Sequence, residues 1–227
     1  GLLDVRGRSR AGNVVVTAGA NIVVTPGTSA TRGLIDASSP SSGGMITLTT
    51  NPVGDIDVGG TLTTEGTTSF GGGGAMVLKA AGNVSLRGTH PMVASGGDPD
   101  GSGGTITVNA DGLIAVTGPI VNFGADGGTL HLIARGDITT GPAGRIDVGG
   151  RGAIGFGGDV DFNAGGSISV EAPVLSRGTG SQLEGGGDGE TSPSRRRRAS
   201  PWPDRSMSAA LPRTAMQGVW ISTLAWT

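Results

Sequence analysis

The chain has 227 residues, of which 46 are glycine, four are Phe, three are Trp and none is Cys or Tyr. So few aromatics exclude a conventional globular core, and zero cysteine excludes disulfide staples and thiolate chemistry. The formal net charge of −2 hides a split: residues 1–190 hold 17 Asp/Glu against 10 Lys/Arg, whereas residues 191–227 hold six Arg against one Asp.

Taken in order, the chain opens on LDVRG at Leu3, a run whose pattern returns later. From Ala11-Gly12 the apolar pair Val14/Val16 is followed eight residues on by Ile22/Val24, then by a weaker run at Ile35 and the loop SSPSSGG. The copy starting at Gly43 carries Ile46/Leu48, then Ile56/Val58 (displaced by two residues around Asn51-Pro52), then LTTEG at Leu62 and the loop TTSFGGGG. Copies at Gly73 (Met76/Leu78, Val84/Leu86, Val93) and Gly103 (Ile106/Val108, Ile114/Val116, Val121) follow. Those at Gly127 (Leu130/Leu132, Ile138/Thr140, Ile146) and Gly157 (Val160/Phe162, Ile168/Val170, Val174) complete a series spaced 30, 30, 24 and 30 residues apart.

Apolar residues two apart mark a strand with one buried face. Three such strands per copy bury nothing alone, but stacked copies align their inward residues in continuous columns. The short turns leave no room for the crossovers of a flat parallel sheet. The expected fold is therefore all-β: a parallel β-helix, or β-solenoid, of about six coils of three short strands. It covers residues 1–187, with coils starting near 11, 43, 73, 103, 127 and 157, and an irregular Arg/Pro-rich tail covers 188–227. Parallel strands lie about 4.8 Å apart, so six coils make a rod on the order of 30 Å long.

The units GGTITVNADGLIAVTG and GGDVDFNAGGSISVEA resemble the repeats of the filamentous haemagglutinin family and, more broadly, of bacterial autotransporter passengers. The resemblance covers Gly1–Gly187. It implies a right-handed parallel β-helix that is secreted or held at the bacterial cell surface, associated with the outer membrane. It further implies a non-catalytic structural or adhesive segment: a stiff stalk whose loops meet host or cell-surface glycans or proteins. No cofactor, nucleic-acid partner or membrane span is expected, and end-to-end self-association is. LLDVRG matches later repeats, so the chain reads as an internal fragment. The rival reading is a polysaccharide-active lyase or glycoside hydrolase whose catalytic coils lie outside it.

Such an enzyme needs carboxylates converging on one outer face. The outward residues of the first strand read Val15, Thr47, Val77, Thr107, His131 and Asp161, which places His131 one coil from Asp161 and from Thr107. A solvated polar ladder accounts for that pair, and no catalytic residue is assigned. The second strand's outward column reads Val23, Asp57, Ser85, Ala115, Thr139 and Ser169; the third reads Asp4, Asp36, Thr63, Ala94, Asn122, Asp147 and Leu175. Neither is expected to gather carboxylates in adjacent coils. Asp98 and Asp100, in GGDPDGSGG, form a weak calcium candidate, since calcium loops space carboxylates this way. Asp, Pro and Gly are equally the residues of an exposed turn. The Thr pairs break too early for an ice-binding face, and no glycine-rich loop opens a helix to cradle phosphate.

The tail breaks the pattern. All three Trp (Trp202, Trp220, Trp226) and the run Arg195–Arg198 lie there. No tail residue is expected in register with the coils, and the segment reads as disordered or out of frame. The arginine run reads as a solvated linker, because no aromatic platform alternates with it.

Overall fold

A computed structural model of the chain describes residues 1–27, 33–179 and 219–223. It begins with β1 (Leu2–Asp4). The first coil holds β2 (Asn13–Ala18), β3 (Ile22–Val24) and β4 (Leu34–Asp36), and the second β5 (Met45–Thr50), β6 (Ile56–Val58) and β7 (Thr61–Thr63). The third holds β8 (Ala75–Ala80), β9 (Val84–Leu86) and β10 (Met92–Val93), and the fourth β11 (Thr105–Ala110), β12 (Ile114–Val116) and β13 (Ile120–Val121). The fifth holds β14 (Thr129–Ala134), β15 (Ile138–Thr140) and β16 (Ile146–Asp147), and the sixth β17 (Asp159–Ala164), β18 (Ile168–Val170) and β19 (Val174–Leu175). A last strand, β20, spans Val219–Thr223.

These strands form three parallel sheets, each taking one strand from every coil. The first runs β2-β5-β8-β11-β14-β17-β20, the second β3-β6-β9-β12-β15-β18 and the third β1-β4-β7-β10-β13-β16-β19. The chain is thus a β-solenoid of about six turns. In the first sheet Val14, Ile46, Met76, Ile106, Leu130 and Val160 are direct partners, as the spacing of the repeats predicts. Ile22, Ile56, Val84, Ile114, Ile138 and Ile168 are partners in the second. Ile46, Met76, Ile106 and Leu130 are wholly buried.

The third sheet corrects the expected register. Val93 and Val121, read as inward, face outward, and Met92 and Ile120 are the fully buried residues in line with Leu62 and Ile146. A slip of one residue exchanges the two faces of a strand. Ala94 and Asn122, read as outward, consequently point inward and are wholly buried. Burial is tolerable for Asn122 because its amide is satisfied. Its Oδ1 accepts the Gly104 N–H at 2.8 Å, and its Nδ2 donates to the Gly104 and Thr129 carbonyls, each at 3.1 Å.

Two corner devices hold the coils in step. The first is the Gly-Gly pair before the long strands β5, β8, β11, β14 and β17, where successive coils pass backbone against backbone. A Cβ on Gly74 would lie 2.1 Å from the Gly44 carbonyl oxygen, and one on Gly104 would lie 2.1 Å from that of Gly74. The second is a side-chain ladder before the second sheet. Asn21 Oδ1 accepts the Asp55 N–H at 2.9 Å, Asp55 Oδ1 the Asn83 N–H at 2.6 Å, and Asn83 Oδ1 the Leu113 N–H at 2.9 Å. Leu113 cannot continue it; Asp137 resumes it by accepting the Ser167 N–H at 2.7 Å.

The shorter fourth coil keeps its strands and loses residues only at two corners, before and after β13. Five tail residues do fall in register: Val219–Thr223 pairs in parallel with β17, from Val160↔Val219 to Ala164↔Thr223. The expectation that no tail residue would do so is corrected there; the rest of that expectation lies outside the described residues. Among the described residues, no helix is long and apolar enough to cross a membrane.

Candidate functional site

The outer face of the third sheet carries two clusters of charged side chains. At the ends of β1, β4 and β16 an Asp accepts the backbone N–H two residues on: Asp4 from Arg6 at 3.0 Å, Asp36 from Ser38 at 2.9 Å and Asp147 from Gly149 at 3.1 Å. Asp4 and Asp36 are direct partners on neighbouring strands. The expectation that no column gathers carboxylates in adjacent coils is therefore corrected. Arg6 makes the arrangement tolerable, with its Nη2 2.6 Å from Asp4 Oδ2 and its Nε 3.5 Å from Asp36 Oδ2. The side-chain hydrogen bond from Arg6 is the main reason the Asp4 carboxyl lies at about 2.

Glu65 follows in the next coil. Its Oε2 accepts from Thr63 Oγ1 at 3.1 Å, and its N–H donates to Ser38 Oγ at 3.2 Å. Burial raises its pKa; the Thr63 hydrogen bond opposes that, Asp36 adds to the rise and His90 works against it. From Glu65 and His90 an open groove of about 800 Å³ runs along the sheet face to Arg145 and Arg151. Val93 and Val121 line its middle, and Pro119 and Pro173 line its side.

At the far end two guanidiniums meet one carboxylate. Arg145 Nη2 lies 3.0 Å and Arg151 Nη2 2.9 Å from Asp147 Oδ2. The Asp147 side chain is 11% exposed, whereas the two arginines are about half exposed, at 52% and 47%. The Arg151 guanidinium also lies over the Phe123 ring, 3.3 Å from its centroid, a cation–π contact that fixes its plane. The carboxylate is thus consumed in positioning, while most of each guanidinium's five N–H donors have no partner among the described residues.

The residues singled out from the sequence lie elsewhere. His131 and Asp161 are direct partners in the first sheet, with Nδ1 3.6 Å from Oδ2 and both side chains 38% exposed. Thr107 adjoins His131 on the other side. Asp57 is bound by Arg87 from the next coil, Nε to Oδ1 at 2.6 Å. Asp98 and Asp100 sit on an exposed turn between the third and fourth coils. Among the described residues, no group of three or more His, Cys, Asp or Glu is arranged to hold a metal ion. Sequence reading missed Glu65, Arg145, Asp147 and Arg151 as a set. Comparison with protein-family models, curated proteins and solved structures finds no match to the chain.

Proposed function

We propose that the chain is a non-catalytic, stiff segment of a longer β-solenoid, secreted or displayed at a bacterial surface in the manner of filamentous haemagglutinin and autotransporter passengers. Its role is adhesive, presenting one sheet face and the corners of the coils to host or cell-surface glycans or proteins. The observation that carries this reading is the unbroken registry of three ladders through all six coils, with the large differences in length at the corners. Such a build transmits bending load along continuous columns and leaves the periphery free to vary. The test is display of the parent protein on intact cells. In-frame removal of two whole coils should shorten the rod seen by electron microscopy by about 10 Å and reduce adhesion. Unchanged adhesion removes the adhesive role.

A second reading, polysaccharide cleavage, draws on the run of Asp4, Asp36 and Glu65 through three coils. Carboxylates converging on one outer face are what glycoside hydrolysis requires. Release of reducing ends from a polysaccharide by this chain, abolished in Glu65→Gln, would replace the first reading.

A further inference from the structure

We infer that the groove on the third sheet binds an acidic glycan, lengthwise, with a sugar carboxylate held by Arg145 and Arg151. The inference deepens the adhesive reading by naming its ligand class. The groove lies on a sheet face, not at an edge. Strands β7, β10, β13 and β16 are each paired on both sides, so the groove offers no row of free backbone groups to an extended peptide. Recognition must come from side chains. Those in the middle are flat and apolar, Val93 and Val121 on adjacent strands with Pro119 beside them. The rings of a saccharide present one apolar C–H face and a polar edge, the complement of such a floor.

The charged end selects an anion. Asp147 gives one Oδ2 to both arginines and its Oδ1 to the Gly149 N–H. Two cations against one carboxylate leave the cluster with a net charge of +1. Arg177 adds another cation one coil on: the Gly150 N–H bonds the Arg177 carbonyl at 2.8 Å, and its side chain is exposed. Glu65 stands three coil steps away, roughly 14 Å at the usual strand spacing. That exceeds the screening length of about 8–10 Å at physiological salt, so it scarcely offsets the cationic end. The guanidinium plane is fixed by Asp147 and by Phe123 before any ligand arrives. A planar fork of this kind matches a carboxylate in geometry as well as charge.

The test is affinity electrophoresis and calorimetry of the full chain with polygalacturonate and with hyaluronan, alongside dextran as a neutral polymer and poly-glutamate as an anionic peptide. Binding of the uronate polymers, with dextran and poly-glutamate weaker by at least tenfold, is expected. Arg151→Gln should lower uronate affinity about tenfold while the chain stays folded at the assay temperature, as circular dichroism checks. Val121→Asp, which sets a carboxylate on the strand directly beside Asp147 and its two arginines, should lower that affinity as well. Equal binding of poly-glutamate means that charge alone is recognised, and overturns the proposal. So does equal binding of dextran, or uronate binding that neither variant weakens. Absence of uronate binding also overturns it, but leaves the stalk reading standing, because rod length and cell adhesion are measured separately. Uronate polymers that shorten during the measurement would speak for the cleavage reading instead, and gel filtration of the recovered polymer detects that.

Discussion

At the scale of single residues, inward and outward positions differ sharply in what they tolerate. Ile106 is wholly buried between Met76 and Leu130, and its neighbour Thr107 faces solvent on the same strand. Ile106→Asp buries an uncompensated charge and should cost about 3–5 kcal/mol, whereas Thr107→Asp should stay within about 0.5 kcal/mol. Urea titration followed by circular dichroism separates the two, and equal losses would refute the facing. Asn122→Ala should cost about 1–3 kcal/mol, because the Gly104 and Thr129 backbone groups lose buried partners. Glu65 carries a pH dependence of its own. Burial is the first cause of its raised pKa, so the folded state binds the proton more tightly than the unfolded chain. Its contribution is fully favourable below the ordinary glutamate value and is lost as pH climbs through the raised one. Glu65→Gln keeps the acceptor for Thr63 and removes that dependence. Its melting temperature should exceed that of the parent chain at pH 7 and match it at pH 4; a gain at pH 4 as large as at pH 7 would contradict this.

At the scale of elements, the strands were legible where their alternation had a single phase. Val84-Ser85-Leu86 and Ile106-Thr107-Val108 sit between polar neighbours, and only one register buries their apolar members. In the third strand the doublets Met92-Val93 and Ile120-Val121 satisfy either phase, so pattern alone could not choose. The deciding signal was present: Pro91, Pro119 and Pro173 each stand immediately before the inward residue of that strand. The cluster around Asp147 was legible only in part: Arg145 shares its face by alternation, whereas Arg151 and Phe123 lie beyond the strand ends, where the apolar pattern gives no register. Close corner geometry makes the glycine positions unequal. Gly74→Ala drives a methyl into the Gly44 carbonyl and should cost at least about 1–3 kcal/mol. Gly72→Ala, whose added Cβ finds its nearest atom 3.9 Å away, should be nearly silent in the same melts. The edge of the first sheet has its own test. Proline has no N–H to give to a ladder, so Ile221→Pro should loosen β20. Amide exchange at Asp159–Ala164 should then quicken while that at Thr129–Ala134 does not change; identical exchange in both would mean that β20 does not guard that edge.

At the scale of the whole molecule, the solenoid is nearly one-dimensional, each coil touching only the coils before and after it. Between one Gly-Gly corner and the next lie 30 residues in most coils, but 24 in the coil that starts at Gly103. Pulled from its two ends, a chain of this kind should peel away coil by coil instead of rupturing in one event. Each detachment hands the tether a fixed length of slack, about 100 Å for 30 residues and about 80 Å for 24, at roughly 3.4 Å per extended residue. A force–extension trace should therefore read as a staircase of equal treads with one short step, and the place of the short step reports the order in which the coils let go.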